Sequence, residues 1–229
     1  MSQQKASSIF NVLSELPETL FSGLFEDASA HNLRQGETLF RAGDPGDGCY
    51  RIQTGLVKIL VASQQGEERI FSLLGPGAIV GELSMIDGRP RSASVVALAD
   101  CSLCFVSQAK FQKYTEAHPE ITSYLVKTLA RRLRQVDDTL AAATFLSVKA
   151  RLARALLNVA EYVGKENAGQ IQLGHKISQG DLAAMAGVAR ENVSRTMSEW
   201  RKRAIVTRSS DYLCINDPKA LAHEMELGS

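Results

Sequence analysis

The 229-residue chain has no apolar run that approaches the ~20 residues a membrane-spanning helix needs. Its opening stretch, Met1-Ser-Gln-Gln-Lys-Ala, lacks the apolar core of a secretory signal. A cytoplasmic location with no membrane partner is therefore expected. Cysteine is scarce. The four present (Cys49, Cys101, Cys104, Cys214) are expected to be thiols, because disulfides are rare in that compartment. Cys101-Ser-Leu-Cys104 has C-x-x-C spacing, but no second pair or nearby histidine accompanies it. On a strand, positions i and i+3 also point to opposite faces, so these are expected to be core thiols. His31, His118, His175 and His223 are scattered, with no H-x-H or H-x-x-x-H spacing. Metal and haem sites, and an enzyme built on metal ligands, lack a donor set. Net charge is only +1, so the whole-chain balance selects no partner.

What is present is ordinary globular composition: 45% hydrophobic and 22% charged residues. The length suits one or two domains with a real core. Charge is uneven along the chain. Residues 1–146 carry 14 basic and 16 acidic residues, and the remainder carries 12 and 9. Within the second part, 176–208 holds seven basic residues against three acidic ones, an excess that supports contact with a polyanion.

Three textures follow one another. Residues 33–107 hold short β-type runs: Glu37-Thr-Leu-Phe, Leu56-Val-Lys-Ile-Leu-Val, Arg69-Ile-Phe-Ser-Leu-Leu, Ser94-Val-Val-Ala-Leu and Leu103-Cys-Phe-Val. Turns such as Gly43-Asp-Pro-Gly-Asp-Gly, Gly75-Pro-Gly and Asp87-Gly-Arg-Pro separate them, which predicts an all-β barrel or roll. The segment 9–30 before it predicts one or two short helices. Residues 119–145 hold no glycine, and Ile121, Leu125, Leu129, Leu133, Val136, Leu140 and Ala143 recur at steps of three and four. That period predicts one long amphipathic helix of roughly 40 Å. Its stripe covers either its own domain or a second copy, and its length favours a homodimer seam.

A further helix is predicted from Ser147 to a C-cap at Gly164. Ser178 followed by Asp181 is a capping-box-like start, and Leu182, Met185 and Ala186 form its apolar face. Gly187 turns the chain into a second helix with Val193, Met197 and Trp200 inward and Arg190, Glu191, Ser194 and Arg195 outward. Helix, glycine turn, helix is the helix-turn-helix pattern. Ile205-Val-Thr-Arg and Tyr212-Leu-Cys-Ile then predict a β-hairpin, so the module is winged.

Gly81-Glu-Leu-Ser-Met-Ile-Asp-Gly-Arg-Pro-Arg-Ser-Ala-Ser-Val has the chemistry of anion binding. Gly81 allows close backbone approach. Glu82-Leu-Ser-Met begins a short helix whose free N–H groups suit an anion. Arg91 supplies a planar charge for bidentate contact with phosphate, Ser92 a hydroxyl, and Ala93 an accessible amide. A plain Arg91–Glu82 salt bridge is the bland alternative.

The whole segment resembles the phosphate-binding cassette of cyclic-nucleotide-binding domains, matching in Gly81-Glu82-Leu83 and in Pro90-Arg-Ser-Ala-Ser94. Together with Ala130-Arg-Arg-Leu, Thr144-Phe-Leu and Arg190-Glu-Asn-Val-Ser-Arg195, the chain resembles the Crp/Fnr family of bacterial regulators, nearest to the cyclic-AMP receptor branch. The resemblance spans roughly residues 9–215. It implies an α+β fold: a jelly-roll-like cyclic-nucleotide-binding domain over 1–118, a dimerisation helix and hinge over 119–146, and a winged helix-turn-helix over 147–229.

The resemblance also implies roles. Glu82 would hold the ribose 2′-hydroxyl, and Arg91, Ser92 and Ala93 the cyclic phosphate. Arg132 would reach Glu82 and the ligand, and Ser72 would face the base. The branch has Thr-Ser where the adenine amino group is read, and this chain has Val136-Asp137. Val136 makes no such hydrogen bond, and an ionised Asp137 only accepts, from adenine or from guanine. Cyclic AMP is the first expectation, cyclic GMP stays open, and a cyclic dinucleotide or no ligand is the rival. The oxygen-sensing branch carries an N-terminal cysteine cluster for an iron–sulfur centre, and no cysteine precedes Cys49.

Arginine bidentate to guanine and carboxylate to cytosine are the expected base contacts of Arg190, Glu191 and Arg195. Their match to the family implies an inverted repeat like TGTGA-N6-TCACA on double-stranded DNA, with Ser178 and Gln179 as phosphate contacts and RNA polymerase as a partner. The half-sites of a two-fold dimer lie ~34 Å apart.

Overall fold

The structure, a computed structural model, describes residues 23–123, 126–127, 130, 133–134, 146–167, 169–209 and 212–226. The chain divides into two compact units: residues 1–63 with 71–137, and residues 138–229 with 64–70.

The first unit is a β-roll of two antiparallel four-stranded sheets. One has the order β1 (Ser29–Leu33), β8 (Cys101–Ser107), β3 (Gly48–Thr54), β6 (Ile79–Val80). The other has the order β2 (Thr38–Phe40), β7 (Ser94–Ala97), β4 (Val57–Ala62), β5 (Glu68–Leu74). Each of the five β-type runs contributes a strand. β1 starts at Ser29, inside the segment expected to be helical, because its backbone pairs along β8 from Ser29↔Phe105 to Leu33↔Cys101. Residues 9–22 of that segment lie outside the described residues.

Strand β8 shows how alternation builds the core. Cys101 and Leu103 point into one apolar cluster with Ile52, Val57, Leu74 and Ala97. Cys104 and Val106 point into another with Leu24, Cys49, Ile79, Met85 and Phe111. The two cysteines of the C-x-x-C spacing thus occupy separate clusters on opposite faces, and all four cysteines are free thiols.

Ser107 ends β8 and caps a helix, α2 (Gln108–Ala117), its Oγ accepting the Lys110 N–H at 3.3 Å. That helix has one buried residue, Phe111, so it carries too little periodicity to announce itself. Beyond it, Ile121 is fully buried in the roll core, whereas Leu133 is 64% exposed in the single chain. The long stripe therefore starts as part of its own domain. Its Leu125, Leu129, Val136, Leu140 and Ala143 lie outside the described residues.

In the second unit, Ser147 accepts the Ala150 N–H at 3.2 Å and starts α3 (Val148–Val163), which buries Leu152, Leu156 and Val159. Gly164 is the C-cap but has extended backbone, φ −74° and ψ 137°. It ends the helix as expected and opens β9 (Gly164–Asn167) at once, without the left-handed turn usual for a glycine there. A four-stranded sheet follows the order β11 (Val206–Ser209), β12 (Tyr212–Ile215), β10 (Gln170–Leu173), β9. The expected wing hairpin is its β11–β12 pair, closed at Ser209↔Tyr212. The final helix of the described residues is α6 (Pro218–Glu226). No helix among the described residues is long and apolar enough to cross a membrane.

Candidate anion pocket and nucleic-acid interface

Arg91 is the centre of the first candidate site. It is 4% exposed, which for an arginine demands partners. Nη1 donates to the carbonyls of Gly48 at 2.8 Å and Gly81 at 2.7 Å, and Nη2 donates to Asp47 Oδ1 at 2.7 Å. The ring of Phe40 lies 4.3 Å from Cζ, in cation–π range. The main chain of Arg91 is also tied to the 43–47 turn. Its N–H donates to Asp44 O, and its carbonyl accepts from Gly43 N–H, both at 2.8 Å. Of the guanidinium's five N–H donors, three have partners among the described residues. The Nε–H is buried and has no partner among the described residues.

Gly81 shapes the cradle. It has φ +83°, in the left-handed region, and a Cβ there would collide with Arg91 Nη1. It is also the N-cap of the short helix α1 (Glu82–Asp87) expected from the sequence. Glu82 is buried and has a partner, and Leu83 is half-buried. Next to them, burial pushes the Cys49 thiol far above its ordinary range. The Glu82 carboxylate adds to that shift, and the Arg91 charge opposes it. This thiol stays protonated and unreactive.

The structure brings Gly81, Glu82 and Arg91 together in one place. Ser92 is exposed and Ala93 half-buried beside them. Ser72 is buried on β5, with Oγ 3.3 Å from Leu73 O. Arg132, Val136 and Asp137 lie outside the described residues. The ion pair of Arg91 is with Asp47, a residue the sequence marked only as part of a turn, and Phe40 was marked only as the end of a β-type run. The signal for Asp47 in sequence was the Gly43-Asp-Pro-Gly-Asp-Gly run, which carries two acids into a loop of no other evident use.

The second candidate site is the helix pair α4 (Gln179–Ala186) and α5 (Arg190–Lys202). Ser178 and Asp181 form a complete capping box: Asp181 N–H donates to Ser178 Oγ at 3.0 Å, and Ser178 N–H to Asp181 Oδ2 at 3.3 Å. The Ser178 hydroxyl also donates to Asp181 Oδ2 at 2.6 Å, so its proton is committed within the cap. Gly187 makes the turn with φ +61°, the left-handed conformation a side chain would strain. Leu182 and Ala186 are buried as expected. Ala183 takes the third inward place, and Met185 is only half-buried.

On α5, Val193, Met197 and Trp200 are buried, while Arg190, Glu191, Ser194 and Arg195 are exposed. Glu191, Ser194 and Arg195 line a shallow concavity that continues to Ser198, Glu199 and Lys202. Glu199 is held by Lys149 of α3, whose Nζ donates to Oε1 at 2.6 Å. That hydrogen bond, together with the charges of Lys149 and Arg203, keeps the Glu199 carboxyl below its ordinary range. Among the described residues no group of three or more His, Cys, Asp or Glu is placed to hold a metal.

Comparison with known proteins gives two family matches in chain order. Residues 30–118 match the cyclic nucleotide-binding domain, and residues 150–224 match the Crp-like helix-turn-helix domain. A CRP-like cAMP-activated global transcriptional regulator of Mycobacterium tuberculosis is 31% identical over 188 residues, covering 82% of this chain and 84% of the relative. The cyclic AMP receptor protein of Thermus thermophilus is 34% identical over 172 residues, covering 75% and 76%. Among solved structures, the c-di-GMP responsive global regulator CLP of Xanthomonas campestris superposes with a TM-score of 0.74 at 20% identity. It covers 87% of this chain and 99% of that one.

Proposed function

The chain belongs to the Crp/Fnr family of cyclic-nucleotide-binding, DNA-binding transcriptional regulators, and from that premise we propose that cyclic AMP is its signal and an inverted TGTGA repeat its target. The observation that carries the ligand half is the buried Arg91, pinned by two carbonyls and a carboxylate with its Nε–H still unpartnered. A buried donor without a partner loses roughly 1–3 kcal/mol relative to a satisfied one. A ring-closed phosphate against Nε recovers this and adds a charge-assisted bond.

In this reading Ser92 and the Ala93 amide complete the phosphate contacts, while Gly81 and Leu83 admit and cover the ligand. Glu82 accepts the ribose 2′-hydroxyl. Ser72 and, from the long helix, Arg132, Val136 and Asp137 face the base and ribose. Residues 1–118 bind the nucleotide, 119–146 form the dimer seam and hinge, and 147–229 read DNA in a cytoplasmic homodimer that works with RNA polymerase. Ligand binding favours one arrangement of the seam, with a coupling of roughly 1–3 kcal/mol as in typical allosteric systems. Gln179 contacts a phosphate at the start of α4. Ser178 reaches the adjoining phosphate by turning toward the DNA the hydroxyl that otherwise donates to Asp181 Oδ2.

A second signal, a cyclic dinucleotide, is favoured by Val136-Asp137 standing where the cyclic-AMP branch reads adenine. Gel shifts on the inverted repeat, run with cyclic AMP, cyclic GMP, cyclic di-GMP and no ligand, test both readings. Retardation that requires cyclic AMP is the expected result. Retardation unchanged by every nucleotide would defeat the ligand assignment, and retardation only by cyclic di-GMP would move it to the second reading.

The DNA half makes its own prediction. Arg190→Ala loses about 1–3 kcal/mol at one guanine of the half-site, because a bidentate contact to O6 and N7 is removed. Gel shifts with single base substitutions check it. The variant becomes indifferent to that one position, whereas an equal loss on every sequence would mean Arg190 meets only phosphate.

A further inference from the structure

Glu199 puts a carboxylate on the face of α5 that the proposed function turns toward DNA. It sits one helical turn beyond Arg195 and lines the same exposed concavity as Arg195, Ser198 and Lys202. Duplex DNA carries one phosphate charge per ~1.7 Å of its axis, so a free carboxylate on that face opposes docking. Glu199 is not free. Lys149 Nζ donates to its Oε1 at 2.6 Å, and Arg203 Nη1 stands 3.8 Å from the same oxygen. Arg203 is in turn paired with the buried Glu224 of α6. Lys149 lies in the first turn of α3, so the pair also ties the start of that helix to the reading helix. Lys202, next to Arg203 in sequence, has no ion-pair partner among the described residues and lines the same concavity.

We propose that Lys149 serves DNA binding through Glu199 and not through the phosphates: it is a positioning residue that neutralises this carboxylate and holds it against α3. Arg195, Ser198 and Lys202 are then left to face the duplex. The inference rests on the DNA-facing reading of α5. It uses only the sequence-independent part of the DNA interaction, so it needs neither the operator sequence nor the identity of the nucleotide to be right.

The test is a double-mutant cycle on the full chain, read by fluorescence anisotropy at low salt. It uses a duplex carrying the inverted TGTGA repeat and a scrambled duplex of equal length. Lys149→Met exposes the carboxylate and weakens binding to both duplexes by roughly 3–10-fold, within the range of directly coupled residues. In a Glu199→Gln background there is no charge left to neutralise, and adding Lys149→Met changes affinity by less than roughly twofold. The slope of log affinity against log salt stays as in the wild type. A lysine that touched phosphate would lower it by ~0.9 when removed. Lys149→Arg, which keeps the pair, retains wild-type binding, and circular dichroism melts check that each variant is folded.

A folded Lys149→Met protein with wild-type affinity would overturn the proposal. So would a double variant as weak as Lys149→Met with a reduced salt slope, which would place Lys149 on the phosphate itself. Wild-type protein that bound neither duplex would overturn the DNA-facing reading of α5 and this inference with it.

Discussion

Arg91→Leu lowers cyclic AMP affinity by roughly a hundredfold to a few thousandfold in titration calorimetry, the equivalent of about 3–5 kcal/mol for removing one partner of a buried charge pair. The size of the effect follows from where the guanidinium sits. It is buried, it is fixed on one side by Gly48 O and Gly81 O, and its Nε–H is without a partner among the described residues. A phosphate that entered the pocket of the leucine variant would lose its water and gain no counter-charge. Asp47 reinforces the loss. It is exposed, and with Arg91 gone its carboxylate faces the incoming anion without neutralisation.

The same substitution leaves the Gly48 and Gly81 carbonyls without their donor, so some loss of stability accompanies it, about 1–3 kcal/mol for each group left unsatisfied. Arg91→Lys separates the two effects. It keeps the charge but not the planar fork, and is expected to bind between wild type and Arg91→Leu. A folded Arg91→Leu protein with undiminished affinity for every cyclic nucleotide would end the assignment of this pocket.

Trp200→Ala unfolds the reading unit more readily than any substitution on its exposed face. Trp200 is fully buried behind α5, alongside Val193 and Met197. Truncating a buried tryptophan costs about 3–5 kcal/mol. In a unit of this size that lowers its melting temperature by more than about 10 °C. Thermal melts followed by circular dichroism measure it, and gel shifts show DNA binding lost well below the wild-type transition. Cyclic-nucleotide binding by the roll is expected to persist, since Trp200 takes no part in either apolar cluster of the roll. Trp200→Phe is the informative companion. The indole Nε1 is buried with no partner among the described residues, so phenylalanine fills most of the volume and removes an unsatisfied donor. Its cost is expected to be under about 1.5 kcal/mol, that of a near-isosteric swap. An alanine variant with an unshifted melt would show that α5 does not depend on this contact.

The reading unit was the more legible half. Ser178, Asp181 and Gly187 are three local devices, a cap, its reciprocal partner and a turn, and each does in the structure what its spacing announces. Val193, Met197 and Trp200 repeat at helical steps and are buried together. The strands of the roll were legible where apolar residues ran together, as in β4, β5 and β8. β3 was not. Gly48-Cys-Tyr-Arg-Ile-Gln-Thr mixes polar and apolar residues, yet it is the strand that β8 and β6 flank and that carries Gly48 and Cys49 to Arg91. Gly164 caps α3 as its place announced, but without the left-handed conformation usual for a glycine there. Here β9 pairs at once with β10, and the ladder bond Gly164↔Leu173 requires extended backbone.

Periodicity, caps and left-handed glycines involve neighbours within a few residues, and their energetics are settled over one turn of helix or one strand. The amino-acid order therefore determined by itself the division into a β-rich half and a helical half, the turn at Gly187 and the inward face of α5, and it singled out Arg91 as the candidate anion contact. What surrounds Arg91 was decided by the tertiary structure. Asp47 lies 44 residues away and Gly48 lies 43 away, and they meet the guanidinium only because β3 is sandwiched in the sheet beside it. The same holds for Lys149 and Glu199, 50 residues apart. A pairing across such a distance leaves no local pattern, because either partner looks like an ordinary surface charge until loop closure sets the other against it.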